Sequence, residues 1–313
     1  MDSMRVLAAI ALGYFLVVGK LGGQAPTDQL GSGLMDPARA ELDRALSVSF
    51  EERRDFEPEL DTPKRRVAPG SRVISLTAGC RAAQKPYDLL IHFHGAPPVL
   101  EAAFEKSGID GVLVIYNWGI GSGAYEDPFA APGTFSQVIT SITNGVRELC
   151  PNAAAPKRIG LSAWSAGYGA VWRILDRSAD AARVDSVLLA DGLHCGFVGN
   201  EHERQVNPAQ MAAFELFADQ AVADKRLFAI THSTIQTPYA STTETSSYLL
   251  DAEGVARIQV SMPGPRPDME LTSRADRGSF HVRGFAGQDK AAHANQLYGF
   301  GDLLLPYLKE RWR

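Results

Sequence analysis

The sequence has no excess of basic charge. Lys and Arg number 31 against 36 Asp and Glu, a formal net charge of −5. Proteins that hold nucleic acid usually carry a clear basic excess, so the balance argues against that class. The basic run Lys64-Arg65-Arg66 lies beside Glu57, Glu59 and Asp61 and reads as a solvated, mixed-charge face. Cysteine is scarce. Cys80, Cys150 and Cys195 are the three present, and their spacing matches no zinc motif. In an exported protein they allow one disulfide and one leftover thiol; otherwise they read as buried structural thiols, and the spacing does not choose a pair. Long apolar runs are missing beyond the N-terminus, so no later segment is expected to span a bilayer. Internal repeats and low-complexity tracts are also missing.

The N-terminus has the pattern of a targeting segment. Met4-Arg5 leads into fourteen uncharged residues, Val6 to Gly19, followed by Lys20. That length suits the apolar region of a signal peptide and is short for a spanning helix. Gly23-Gln24-Ala25 has the small-x-small form of a cleavage site, although Pro26 follows it unfavourably. Residues 1–25 are therefore expected to be a signal peptide or an uncleaved anchor that tethers the protein to a membrane, which implies export. An apolar N-terminal helix of a cytosolic protein is the alternative. Residues 26–69 read as a linker with a peripheral element, where Asp36-Pro37 can open a short helix.

From residue 70 the pattern changes. Short apolar runs at 71–79, 87–95, 111–119, 157–164, 183–191, 225–233 and 279–287 read as strands. Segments 135–150, 166–176 and 292–312 read as helices, the last weakened by Gly299 and Gly301. Near-continuous apolar strands alternating with helices imply a mostly parallel sheet covered by helices on both faces, a three-layer α/β/α domain over residues 70–313. Residues 192–224 are expected to make a small helical excursion over the site. In such sheets function gathers at the carboxyl ends of strands. Five of the seven histidines fall there: His92, His94, His194, His232 and His293, with only His202 and His281 elsewhere.

The stretch "LSAWSAGYGA" (161–170) joins a strand to a helix, and around Ser165 it reads A-x-S-x-G. A serine hydroxyl needs a base and open space to act as a nucleophile. A tight strand-to-helix turn exposes it and sets the next N–H beside it, provided the residues two before and two after are small. Here they are Ala163 and Gly167. A serine that simply caps a helix is the plain alternative. His293, in "GFAGQDKAAHANQL", follows the last strand and can reach back as the base. In "LLIHFHGAPP" (89–98), His94-Gly95 turns the chain sharply. The N–H groups of Ala96 and Ala166 would then form a two-donor oxyanion hole.

With "HFHGA", "SAWSAG" and "GQDKAAH" in that order, the chain resembles the α/β-hydrolases over about three-quarters of its length. The resemblance implies that fold, a Ser–acid–His triad with Ser165 and His293 in the matching positions, and no cofactor. Ala in place of the first elbow Gly also occurs in some bacterial lipases of this fold. The acid is open. Asp191, at the end of "VLLAD" before Gly192, suits orienting an imidazole; Glu244 in "TPYASTTETSS" and Asp289 are the alternatives, and Asp191-Gly192 can also be a plain turn. The Gly- and aromatic-rich loop 116–129 can line a substrate pocket with Trp118 and Tyr125, or be a surface loop. His94 and His232 are placed at the same edge; His232 is expected to touch substrate or to hydrogen-bond a carboxylate.

The expectation is thus an exported serine hydrolase acting on carboxylic esters, small or polymeric. Its acyl and alcohol preferences and its oligomeric state are not written in the sequence. Two other classes stay in view. His92-x-His94 on one strand face, completed by His194 or His232, is a metal-ligand pattern of a metal-dependent hydrolase. A non-catalytic relative of the same fold would use the cleft for binding alone.

Overall fold

Apolar side chains fill several short runs from end to end, and those runs become the middle of a sheet. The computed structural model describes residues 64–66, 72–77, 79–199 and 203–313. The leader, the anchor and nearly all of the expected linker lie outside the described residues. The strands are β1 (Lys64–Arg66), β2 (Arg72–Leu76), β3 (Tyr87–Phe93), β4 (Gly111–Tyr116), β5 (Pro156–Trp164), β6 (Ser186–Ala190), β7 (Phe197–Val198), β8 (Gln205–Val206), β9 (Leu227–His232), β10 (Ile258–Pro263), β11 (Glu270–Arg277) and β12 (Phe280–Phe285). Ten of them form one sheet in the order β1-β2-β4-β3-β5-β6-β9-β12-β11-β10. The six central strands, β4 to β12, run parallel, and two antiparallel strands close each side. Every residue of β3, β4, β6 and β9 is buried, as a sheet covered on both faces requires.

Alternate residues point to opposite faces, and each face finds its own cover. Leu89, Ile91 and Phe93 of β3 join one apolar cluster, while Leu90 joins the other. Helices α1 (Pro97–Ser107), α2 (Thr134–Leu149), α3 (Tyr168–Leu175), α4 (Pro208–Val222), α5 (Thr242–Ala252), α6 (Lys290–Tyr298), α7 (Phe300–Leu303) and α8 (Leu305–Arg311) supply the covers. Buried residues of α2, α3, α4 and α5 belong to the first cluster. Those of α1, α6, α7 and α8 belong to the second. Helix α4 occupies part of the expected excursion at 192–224. It packs Phe214 and Phe217 on Phe228 of β9, so it is part of the sheet's cover. Residues 197–198 and 205–206 of the same stretch form a two-stranded ribbon.

The path of the chain makes a crevice. From β3 it passes to β4 on one side, then returns to β5 on the other side of β3. Helices α1 and α2 therefore leave on opposite faces, and the carboxyl ends of β3 and β5 are left facing the gap. His94 follows β3, Ser165 follows β5 and Asp191 follows β6.

Cys80 and Cys150 form a disulfide across 70 residues of chain, and Cys195 is the buried free thiol. The bridge ties the turn after β2 to the end of α2. A loop of that length is worth about 4 kcal/mol in the chain-entropy account. Cys80→Ser with Cys150→Ser should lower the urea midpoint accordingly. An unchanged midpoint would mean that the bridge constrains nothing in the unfolded chain.

Candidate active site

Three neighbouring strands end on non-glycine residues with left-handed backbone. The φ values are 65° at His94, 49° at Ser165 and 44° at Asp191. Side chains seldom adopt this conformation, and it persists where the surroundings enforce it. Here the enforcement is close backbone packing. A methyl group on Gly167 would lie 2.0 Å from the carbonyl oxygen of Phe93 and 3.0 Å from Cβ of His94. One on Gly192 would lie 2.5 Å from the carbonyl oxygen and 2.6 Å from the nitrogen of Ser165. The turn at Ser165 is thus wedged between the ends of β3 and β6, and only glycine fits at both contacts.

Asp191 is buried and fully engaged. Its Oδ2 accepts from Nδ1 of His293 at 2.8 Å and from Oγ of Ser233 at 2.7 Å; its Oδ1 accepts from the Ser233 N–H at 2.9 Å. Burial alone would push this carboxyl up. The hydrogen bonds and charge of His293, with the two donors of Ser233, outweigh it and hold the carboxyl below its ordinary value. The acceptance by Asp191 assigns the His293 proton to Nδ1 and leaves Nε2 as the basic nitrogen. Ser165 is half-buried. Among the described residues, neither its Oγ nor Nε2 of His293 has a hydrogen-bond partner.

Trp164, just before the serine, holds the histidine from the side. Its Nε1 donates to the backbone oxygen of His293 at 3.1 Å. Its ring stacks on His293 at 4.7 Å and on His94 at 5.1 Å, so it contacts both imidazoles. His94 in turn bonds through Nδ1 to the hydroxyl of Tyr125 at 2.8 Å. The turn after β3 is braced by Asn117, whose side chain accepts from the Gly95 N–H at 3.0 Å and donates to its carbonyl at 2.6 Å. Ala96 then stands in extended backbone before α1, its N–H without a partner among the described residues.

At the level of sequence, no family model and no curated protein matches the chain. Solved structures do. Ferric enterobactin esterase from Salmonella typhimurium aligns with a TM-score of 0.50 and 13% identity, over 82% of this chain and 61% of that one. The chain has the α/β-hydrolase fold. Enterobactin esterase from Shigella flexneri, solved with enterobactin, aligns at 0.47 and 14% over 80% of this chain and 62% of that one. A structure described as an arylesterase aligns at 0.42 and 11% over 89% and 99%. This chain spans about three fifths of the length of the enterobactin esterases it matches.

Set in this α/β-hydrolase fold, the other expected site residues separate. Glu244 is not near His293 in bonding. It accepts both arms of Arg204 at 2.6 and 2.7 Å and closes a capping box with Ser241 at the start of α5. Asp289 caps α6 through the Ala292 N–H. Tyr125 is not a pocket wall: it is completely buried, and its hydroxyl is spent on His94, Gly119 and Trp118. Trp118 is half-buried among Phe93, Tyr116, Tyr125 and Phe129. His232 bonds no carboxylate among the described residues. It is buried, its Nδ1 faces the Ser233 carbonyl and Thr243, and its Nε2 accepts from Arg257.

The metal pattern fails for a similar reason. His92 is completely buried, with Nδ1 on Ser162 and Nε2 on the His94 carbonyl. His194 spends Nδ1 on the Ala240 carbonyl. Among the described residues no group of three or more His, Cys, Asp and Glu is arranged to hold a metal. Trp164, Asn117 and Ser233 were not found by sequence reasoning. Only Trp164 had a signal, its place inside the elbow motif.

Two expectations follow. Gly167→Ala should cost about 2–3 kcal/mol of stability by overpacking against Phe93, read by thermal melting; an unshifted melting temperature would refute the close contact. Burial pushes His92 down to about 3 and His232 down to about 4. Imidazoles of the unfolded chain titrate near 6.5, so below that the unfolded state takes up protons that the folded state refuses. This stability is whole above about pH 6.5. It is lost at about 1.4 kcal/mol per pH unit for each histidine as pH falls toward 4. Urea midpoints that stay flat down to about pH 5 would contradict it.

Proposed function

We propose that the protein is a serine hydrolase of carboxylic esters, with Ser165 as nucleophile, His293 as base and Asp191 as the acid. The observation that carries this reading is the 2.8 Å contact from His293 Nδ1 to the buried Asp191, on the strand-end loop that Gly192 presses against Ser165. Asp191 is charged, so it stabilises the imidazolium that forms when Nε2 takes a proton. The bonding of Glu244 to Arg204 and Ser241 leaves Asp191 as the preferred acid.

In this reading Ser165 Oγ attacks the ester carbonyl while Nε2 of His293 accepts the hydroxyl proton. The N–H groups of Ala96 and Ala166 hold the oxyanion, a contribution of about 3–4 kcal/mol per donor in comparable sites. The tetrahedral intermediate collapses, and His293 returns the proton to the departing alcohol. A water molecule, deprotonated by the same nitrogen, then cleaves the acyl-enzyme and restores Ser165. The gap between Oγ and Nε2 in the free protein is common in unliganded sites, where such contacts tighten on substrate. The similar Salmonella typhimurium structure is named as an esterase, which agrees with the reaction class and leaves the substrate open.

Export belongs to the same proposal. The apolar leader pattern at residues 6–19 and the Cys80–Cys150 bridge both fit an oxidising compartment. An uncleaved leader would add a membrane tether.

The test is turnover of p-nitrophenyl acetate by three variants. Ser165→Ala should reduce kcat by about 10³-fold or more and abolish labelling by a fluorophosphonate. Asp191→Asn should reduce kcat by about 10³–10⁴-fold. Glu244→Gln should leave kcat near that of the unaltered protein and lower only its melting temperature. Full turnover in Ser165→Ala would overturn the assignment of the nucleophile; a larger loss in Glu244→Gln than in Asp191→Asn would overturn that of the acid. Absence of both turnover and labelling in the unaltered protein would favour a binding role.

A further inference from the structure

The amino end of the parallel sheet carries a second cleft, of about 650 Å³. Strand β5 begins in it with Pro156–Ile159 and ends at the Ser165 turn, so the two regions are separated by about 26 Å of extended chain. The floor is one face of α2 and the start of β5; the rim is formed where the chain enters β6 and β9.

Five cations line this cleft and one carboxylate does. Arg147, Lys157, Arg158, Arg183 and Arg226 face Asp185. Two of these charges are already matched. Arg158 is bidentate to Asp88 at 2.7 and 2.6 Å, and Asp185 is held by Arg311 at 2.8 Å. The remaining four cations have no carboxylate partner among the described residues. In a chain with net charge −5, such a cluster is not a reflection of composition. It concentrates like charges, which repel one another until an anion enters.

Three of the four are held in place by neutral groups. Arg147 donates through Nε to the Ala153 carbonyl. Arg183 donates through Nη1 to Ser136 Oγ and lies over the ring of Phe135. Arg226 donates through Nε to Gln220 and through Nη2 to the Ala182 carbonyl. Neutral acceptors fix a guanidinium without cancelling its charge, and among the described residues each of the three keeps at least one nitrogen uncommitted. A fixed fork of N–H donors is the geometry that phosphate oxygens match.

We propose that this cleft binds a phosphate-bearing anion, held by Arg147, Lys157, Arg183 and Arg226. The ligand chemistry is a doubly or more highly charged phosphate group, carried by a soluble phosphate ester or by a lipid headgroup. The site is independent of the Ser165 site and of the reaction proposed there.

The experiment uses the whole protein at low ionic strength with two probes. Calorimetry measures inorganic pyrophosphate. Cosedimentation measures vesicles of phosphatidic acid, a phosphomonoester headgroup, in phosphatidylcholine against phosphatidylcholine alone. Binding should weaken by about tenfold or more in the triple variant Arg147→Gln, Arg183→Gln, Arg226→Gln, and should fall as salt is raised. The milder pair Lys157→Gln, Arg183→Gln, both at exposed positions, serves if the triple variant does not fold. Pyrophosphate binding alone identifies a soluble phosphate ester, and binding to the anionic vesicles identifies a headgroup. Turnover of p-nitrophenyl acetate should match that of the unaltered protein in every folded variant. Binding of neither probe, or equal binding by the unaltered protein and its variants, would overturn the proposal.

Discussion

The close approach of backbone at the carboxyl ends of β3, β5 and β6 is the constraint on which the site depends. Gly167 admits the end of β3, and Gly192 admits the backbone of Ser165. With both contacts made, His94, Ser165 and Asp191 are forced into left-handed backbone together. Strain of this kind costs of order 1–3 kcal/mol per residue and survives only on an over-determined support. The support is a parallel sheet in which β3, β4, β6 and β9 are buried along their whole length, with an apolar cluster on each face.

That rigidity extends to the polar groups behind the edge. His92 and His232 are neutral because burial disfavours their cations; His92 ties β3 to β5 through Ser162, and His232 ties the end of β9 to Arg257 and to Thr243 of α5. Asp191 is the exception among these buried groups. It keeps its charge because three hydrogen bonds replace the water it has lost. Trp164 joins the two sides of the crevice, since its ring stacks on His94, just after β3, and on His293 in the first turn of α6. The opposite edge is built on another rule: its Arg147, Arg183 and Arg226 are held by neutral acceptors.

Much of this was legible in the chain. The runs at 87–95, 111–119, 157–164, 183–191, 225–233 and 279–287 became β3, β4, β5, β6, β9 and β12, because a strand buried on both faces must be apolar throughout. Strands β10 and β11 escaped notice: β10 is almost wholly exposed, so its residues carry little apolar pattern. Helix α1 was hidden by Pro97-Pro98, which reads as a turn but is compatible with a first helical turn. Helix α5 is rich in Thr and Ser, and its capping box at Ser241 and Glu244 was the available signal.

The sequence by itself determined the layered α/β architecture, the strand-end position of Ser165, and the small residues that its turn demands. Those are local properties of periodicity and steric size. Only the tertiary structure set the partners of Asp191, Glu244 and Asp289, because each is an acid near a strand or helix end and their difference lies in which partner reaches them. His293 reaches Asp191 across 102 residues of chain. Arg204 captures Glu244, and Asp289 turns back on its own helix. The same holds for Cys80 and Cys150, and for the buried His232 and Tyr125. Pairing and burial are set by contacts between segments distant in sequence, which no local pattern encodes.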